Sequence, residues 1–218
     1  MTNPAWTYSQ LDSFETCPRK FYHTKVKRDF PEPPTIHTEW GTKVHTAFEE
    51  FMLHGVVLPE GMTQWQTLAN NLAKIPGEKL AEQKFAINKN FEPCDWKQAW
   101  SRGIGDLTII NGSKAAVLDY KTGKRKPTEQ LDLYACYVFH YYPEVTSVNT
   151  GFVWLKDKRI DTKVRKREEV PIMWQQFLPR VAKLESSYER DKWPARSSGL
   201  CNGWCPVASC EFNRKKPT

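Results

Sequence analysis

The sequence predicts an α/β domain in which helices flank a mixed central sheet. Three observations predict it: helical patterns near the N-terminus, a central pair of apolar strands joined by a turn signal, and a helix–strand–strand–helix order that follows. Such mixing of helical and strand patterns is typical of sheets covered by helices. At 218 residues the chain has the length of one domain, and we expect residues 1–218 to form a single one.

The N-terminal part, residues 1–60, is predicted to be helical. A short helix begins at Ser9 and is followed by Cys17-Pro18 and a basic, aromatic segment. A second helix is predicted over Thr38–Gly55, where apolar residues recur at helical spacing. One further helix is expected within Gly61–Lys84.

The sheet core, residues 80–170, is centred on a predicted hairpin. Ile104–Ile110 and Ala115–Tyr120 are apolar runs, and Asn111-Gly112 between them is a strong turn signal. A strand-like run at Glu82–Ile87 is expected to begin the sheet.

The remaining elements follow in a simple order. Thr128–Tyr142 is predicted as a helix with Thr128 as its cap, because apolar residues form a stripe along it. Val145–Trp154 and Ile160–Val170 alternate as strands. Residues 171–218 are expected to form a closing helix, Met173–Arg190, and a cysteine-rich tail.

The hairpin places acidic side chains on one face. With a two-residue loop, Asp106 lies opposite Val117 and diagonal to Asp119, roughly 7–8 Å away; with a four-residue loop it lies opposite Asp119 directly. Side chains alternate along a strand, so Lys121 shares this face. Two converging carboxylates repel each other and favour a cation between them, and oxygen ligands favour Mg²⁺ or Mn²⁺. A divalent ion beside a fixed ammonium group suits phosphodiester hydrolysis.

Four further side chains are candidates for this site. His45 lies on the second helix, where pairing with Glu49 one turn later is the alternative, and Glu82 begins the first strand. Gln130 and Tyr134 are four residues apart and therefore share one helix face, although core packing is an alternative for Tyr134.

Charge and composition limit the class of protein. The net charge of +7 favours a polyanionic partner. No apolar run approaches 18 residues and no secretion signal is recognised, so we expect a cytoplasmic protein without a membrane segment. Six cysteines in that compartment favour metal ligands or free thiols over disulfides. The sequence contains no Gly-x-x-x-x-Gly-Lys-Ser/Thr loop of an ATP-driven motor.

The ordered set Gly105-Asp106, Asp119-Tyr120-Lys121 and Gln130-x-x-x-Tyr134 resembles the motifs of the PD-(D/E)XK nuclease superfamily, specifically its RecB-type branch. Gly41-Thr42-Lys43-Val44-His45 resembles that branch's histidine-bearing helix. The resemblance implies a restriction-endonuclease-like fold. It also implies a catalytic metal held by His45, Asp106, Asp119 and the Tyr120 carbonyl, with Lys121 orienting water and Gln130 and Tyr134 positioning nucleic acid.

The cysteines form a second pattern. Cys201, Cys205 and Cys210 are too closely spaced for chance, and Cys17 is the natural fourth ligand. The set resembles the iron–sulfur staple of AddB-type helicase–nucleases and CRISPR-adaptation nucleases, which implies a 4Fe–4S cluster that joins the termini. The tail is Cys-x₃-Cys-x₄-Cys where that family usually has Cys-x₂-Cys-x₅-Cys, and tetrahedral zinc is the alternative. Cys94 and Cys136 are expected to be free thiols.

Two basic runs are candidates for nucleic-acid contacts. Lys124-Arg125-Lys126 follows the strand that carries Asp119, and Lys156–Arg167 holds seven basic residues, for which a solvated face is the alternative. Such contacts give affinity without sequence specificity.

The sequence therefore predicts a metal-dependent deoxyribonuclease. Exonuclease action is expected on DNA that is single-stranded or has free ends, in recombination, repair, processing or phage DNA metabolism, with a helicase or recombination protein as a partner in trans. The alternative is a non-catalytic nucleic-acid-binding or assembly module with a structural zinc or iron–sulfur staple.

Overall fold

The computed structural model describes residues 3–125 and 128–214. The chain divides into two compact units. One is continuous, Thr35–Gln175, and contains the sheet. The other combines the residues up to Pro34 with those from Gln176 onward.

The continuous unit is built on a five-stranded mixed sheet of the described residues, with spatial order β1-β2-β3-β4-β5. The strands are β1 (Glu78–Ile87), β2 (Ser101–Asn111), β3 (Lys114–Lys121), β4 (Ser147–Trp154) and β5 (Arg159–Lys166). Neighbours are antiparallel except β3 and β4, which are parallel. The predicted mixed sheet is confirmed.

The parallel pair requires a crossover, which a helix provides. This helix, α5 (Gln130–Tyr141), follows β3 and is buried continuously from Leu131 to Phe139. Even Asp132 is buried there, paired with Arg165 at 2.6 Å. The helix is therefore a rigid support for Gln130 and Tyr134.

Helices α3 (Ile36–His54) and α4 (Gln66–Ala73) pack with the sheet in one core. The Thr35 hydroxyl caps α3 by accepting the Thr38 N–H at 3.2 Å, and Gly55, at φ 70°, ends it in the left-handed conformation that glycine adopts most easily. The core includes Val44, Phe48, Leu72, Leu107 and Tyr120.

The second unit contains the N-terminal helices and the C-terminal tail. Its elements are α1 (Tyr8–Thr16), α2 (Pro18–Phe21), a π-helical turn (Tyr22–Val26), the C-terminal part of α6 (Val170–Arg190) and a 3₁₀ turn (Gly199–Cys201). The Phe14 and Phe21 rings pack edge to face at 5.9 Å, and both contact Trp193.

The hairpin between β2 and β3 follows one of the two predicted pairings. Ile110 lies opposite Ala115, as expected for the four-residue loop, and Asn111 also pairs with Lys114. The turn is therefore Gly112-Ser113, and the pairing derived from an Asn111-Gly112 loop was wrong. The parity that places Asp106 and Asp119 on one face is the same in both.

The ends of two other strands differ from the prediction. β1 begins at Glu78, earlier than the expected Glu82, because its pairing with β2 extends to the hairpin end of that strand. β5 ends at Lys166 because Arg167–Glu169 forms a 3₁₀ turn that leads into α6.

No helix in the described ranges has both the length and the apolarity needed to cross a bilayer.

Candidate metal centre

The strand register aligns three carboxylates. Leu107 pairs with Leu118, and one step further along the strands the same register places Glu82, Asp106 and Asp119 in a row across β1, β2 and β3. The ladders contain no pairs at this row, and Glu82 has a left-handed backbone, at φ 48°. Three neighbouring strands therefore each contribute an acidic side chain to one place on the sheet.

His45 reaches this row from α3. Its Nε2 lies 3.0 Å from the Tyr120 carbonyl oxygen, and its Nδ1 lies 3.3 Å from Asp106 Oδ1 and 4.0 Å from Glu82 Oε1. Among the described residues, His45, Glu82 and Asp106 form a group whose ligand atoms all lie within 4.8 Å of one another. Carboxylates, an imidazole and a carbonyl oxygen form a donor set that fits a divalent cation.

Asp106 connects two strands. It is 8% exposed, and its Oδ2 accepts the Tyr120 N–H at 2.6 Å. This hydrogen bond fixes the carboxylate next to the Tyr120 carbonyl, so that Oδ1 remains directed at His45.

Asp119 lies in a second cluster with the predicted catalytic side chains. Its Oδ1 accepts from Gln130 Nε2 at 3.0 Å, and its Oδ2 lies 2.5 Å from Lys121 Nζ. Gln130 Oε1 accepts from Lys121 Nζ at 3.2 Å, while Gln130 Nε2 also lies 3.4 Å from the Tyr134 hydroxyl. The four predicted residues therefore meet, but Asp119 stands outside the three-residue group around His45.

Asp119 Oδ2 is paired with an ammonium group. This oxygen is buried and lies 2.5 Å from Lys121 Nζ. A buried carboxylate oxygen is costly unless it meets a cation, and Lys121 supplies one here.

The electrostatics of the row also favour a cation. Burial and the Asp106 charge raise the pKa of Glu82 to about 6, and the same two causes raise the pKa of Asp119 to about 6. Burial lowers the pKa of His45, but the hydrogen bond and charge of Asp106 outweigh burial and raise it overall. Burial raises the pKa of the Tyr134 phenol, which therefore stays neutral at physiological pH.

Glu82 is the site residue whose role the sequence left least defined. The structure places it in the ligand group, opposite Asp106. A signal was present in the sequence: pairing the run around Glu82–Ile87 with β2 brings an acidic residue to the Asp106 position.

In the two basic runs, some residues are exposed and others are paired within the protein. Lys124 and Arg125 follow β3 and are exposed, but Arg125 is paired with Asp161 at 2.6 Å. Lys126 lies outside the described residues. In the second run, Arg165 pairs with Asp132, and Arg167 donates to backbone carbonyls, so these two serve the fold.

The four clustered cysteines line one small cavity of the second unit, among them the buried Cys201 and Cys205. Cys17 Sγ accepts the Arg196 N–H at 3.4 Å. No three sulfurs in the described chain lie within 4.8 Å of one another. The described cysteines therefore share a cavity without forming a preformed ligand group for either zinc or a cluster. The metal cluster stays a prediction.

The other two cysteines are unbridged. Cys136 is buried in α5, and burial raises the pKa of its thiol. Cys94 is partly exposed, and burial also raises its pKa. Both are free thiols, as expected.

Known proteins place this geometry in a family. One solved structure that resembles the chain is described as a "Putative exonuclease" from Eubacterium rectale, with a TM-score of 0.54 and 12% identity over 99% of this chain and 89% of that one. Another, named SSO0001, has a TM-score of 0.42 and 14% identity over 98% of this chain and 88% of that one. No curated protein matches significantly. The family model for the PD-(D/E)XK nuclease superfamily matches residues 5–210, and the chain therefore belongs to that superfamily.

Proposed function

We propose that this protein is a Mg²⁺- or Mn²⁺-dependent deoxyribonuclease of the RecB type that acts as an exonuclease. The observation that carries the proposal is the convergence of His45, Glu82 and Asp106 beside the Asp119–Lys121 pair. Membership of a superfamily whose members are typically metal-dependent phosphodiesterases supports it. The match over residues 5–210 also supports one nuclease domain that includes both units.

Each residue has a role in the proposed mechanism. His45, Glu82, Asp106, Asp119 and the Tyr120 carbonyl would hold the divalent ion. When bound, such an ion supplies an activated water and polarises the scissile phosphate. Asp106 also fixes the backbone of Tyr120, so one carboxylate orients two ligands.

Lys121 is the proposed electrostatic catalyst. Its ammonium is held by Gln130 Oε1 and Asp119, and it lies 5.5 Å from the centre of the Phe152 ring. A preorganised cation stabilises charge that develops on the phosphate. Gln130 positions Lys121, and Tyr134 supports Gln130 as a neutral phenol.

DNA that is single-stranded or has free ends is the proposed substrate. The net charge of +7 and the exposed Lys124, which follows the catalytic strand, support backbone contacts without base readout. Arg125, which is paired with Asp161, and Lys126 are included in this proposal from the sequence. We also propose a helicase or recombination protein as a partner in trans. We place the protein in the cytoplasm, in recombination, repair, processing or phage DNA metabolism.

Labelled linear and circular DNA with Mn²⁺ or Mg²⁺ tests the activity. We expect linear single strands to be degraded from an end, circles to be spared, and Asp119→Asn and Lys121→Ala to be inactive. The exposed Asp157→Asn variant is the matched control and should retain activity. A wild-type protein that binds DNA but cleaves none would favour the non-catalytic alternative.

We further propose that Cys17, Cys201, Cys205 and Cys210 hold a 4Fe–4S cluster. Their common cavity supports a shared metal group, and the resemblance of the set to an iron–sulfur staple favours a cluster over zinc. Anaerobic purification with iron, sulfide and zinc analysis tests this. Stoichiometric zinc in a colourless protein would replace the cluster with the alternative.

A further inference from the structure

We propose that the groove along α3 is a nucleobase subsite in which the Trp40 indole stacks on an unpaired base of the substrate strand. This inference rests on the proposed nuclease function and deepens it, because it makes single-stranded nucleic acid the preferred substrate class.

The groove has the size and lining of a ligand site. Its volume is about 650 Å³, within the range of roughly 300–1,000 Å³ usual for small-molecule pockets. Trp40, Ala47, Val57 and Met62 give it an apolar surface, and Lys43 adds a positive charge. Val57 is 69% exposed, so this surface is open to solvent.

The groove begins next to the catalytic strand. A Cβ atom on Gly41 would lie 3.7 Å from Thr122 Oγ1, and Thr122 directly follows Lys121. Trp40 precedes Gly41, while His45, about one turn further along α3, reaches the metal ligands. The same helix therefore contributes to both the metal centre and the groove. A nucleic-acid strand that leaves the metal centre can enter the groove.

Trp40 packs on one side against a buried indole. Its ring centre lies 6.4 Å from that of Trp65 at an interplanar angle of 50°, and Trp65 is buried with its Nε1 donating to the Leu155 carbonyl at 2.8 Å. Trp40 itself remains 37% exposed. An indole that is packed on one side and open to solvent on another can stack on an unpaired base.

The charges of the groove suit the binding of a single nucleotide better than the binding of a longer phosphate backbone. Lys43 is exposed near Trp40 and can contact a phosphate. Glu50, about 10 Å further along the helix, and Glu60 also line the groove and repel phosphates. A phosphate is therefore favoured at the Lys43 end, with its base over the apolar surface.

Binding of labelled single-stranded and duplex DNA, measured by anisotropy in EDTA, tests the subsite without cleavage. We expect Trp40→Ala and Trp40→Leu to weaken single-strand binding roughly tenfold, because base stacking is lost, and Trp40→Phe to retain most of it. Duplex binding should not change, since paired bases cannot stack on the indole. Trp204→Ala, which removes a 79% exposed indole of the other unit, is the matched control.

The proposal is overturned if Trp40→Ala binds single strands within twofold of wild type, if Trp40→Leu binds like wild type, or if duplex binding falls equally. Thermal melting of Trp40→Phe confirms that an aromatic variant folds. Hydrolysis of bis(p-nitrophenyl) phosphate with Mn²⁺ by the wild type separates the two proposals, and the control Trp204→Ala should keep this activity. An inactive wild type would reject the nuclease function, while the binding comparison would still decide the subsite.

Discussion

Asp119 combines burial, a neighbouring carboxylate and a lysine. It is 4% exposed, and burial together with Asp106 raises its pKa from 3.8 to about 6. An acid whose pKa is higher in the folded than in the unfolded state loses stability as pH rises through these two values. The charge that would hold a metal therefore destabilises the metal-free protein at neutral pH.

This predicts that Asp119→Asn stabilises the metal-free protein at pH 7.5 by about 1–3 kcal/mol, because the neutral amide avoids the buried charge. The gain should shrink as pH falls toward 4, where the wild-type carboxyl is itself protonated. Urea unfolding in EDTA at several pH values measures this. Asp157→Asn, on the exposed turn after β4, should change little; destabilisation by Asp119→Asn at pH 7.5 would contradict the argument.

Glu82 has the same raised pKa of about 6. A metal that binds Glu82 and Asp119 must displace their protons below that pH, and it must also displace the proton of His45, whose pKa is raised. Mn²⁺ affinity should therefore fall by about tenfold per displaced proton for each pH unit below 6. Calorimetric titration between pH 5 and 7.5 measures the slope. Glu82→Gln should reduce the number of protons displaced per bound Mn²⁺ by one, which lowers the slope of the logarithm of affinity against pH by one. An unchanged slope would exclude Glu82 as a ligand.

At the scale of an element, Arg167 secures the end of α5. Its guanidinium donates to the carbonyls of Phe139 at 2.9 Å, Tyr142 at 2.7 Å and Val145 at 2.8 Å. A cation at a helix C-terminus satisfies carbonyls that have no partner within the helix. This contact holds the helix whose N-terminus carries Gln130.

We expect Arg167→Ala to destabilise the protein by about 2–3 kcal/mol, since hydrogen bonds from a charged donor are lost. Chemical denaturation measures the effect. Lys166→Ala, at the neighbouring exposed position, is the control, and equal effects of the two variants would show that Arg167 has no special role.

At the scale of the molecule, the two proposed metal sites belong to different compact units. His45, Glu82, Asp106 and Asp119 lie within Thr35–Gln175, whereas the four clustered cysteines lie in the other unit. Each unit has its own buried side chains. Loss of the cysteine-bound metal should therefore leave the carboxylate site able to bind Mn²⁺.

A cluster that joins Cys17 to Cys201 would close a loop of most of the chain, which is worth about 5 kcal/mol as an upper figure for chain entropy. Cys205→Ala should therefore lower the melting temperature and lose iron, yet retain Mn²⁺ affinity. Calorimetry and metal analysis measure these results, with Cys94→Ala as the control. A Cys205→Ala protein with full iron content and wild-type melting would exclude the staple.

The sequence by itself determined the local elements. Helix α5 was predicted at 128–142 and is Gln130–Tyr141, because the periodicity and turn signals that define a helix lie within it. Strand alternation also predicted that Asp106, Asp119 and Lys121 share one face, since any hairpin loop of even length gives the same parity. The ordered motifs pointed to the superfamily that the family match confirms.

Only the tertiary structure decided which side chains meet. The left-handed residue Glu82 joins the ligand group through strand pairing, and Asp119 turns toward Lys121 and Gln130. Arg125 is paired with Asp161, 36 positions away, although its sequence resembles a free basic run. Such contacts depend on pairing between strands distant in the chain, and charge patterns cannot distinguish a solvated cation from one that neutralises a partner.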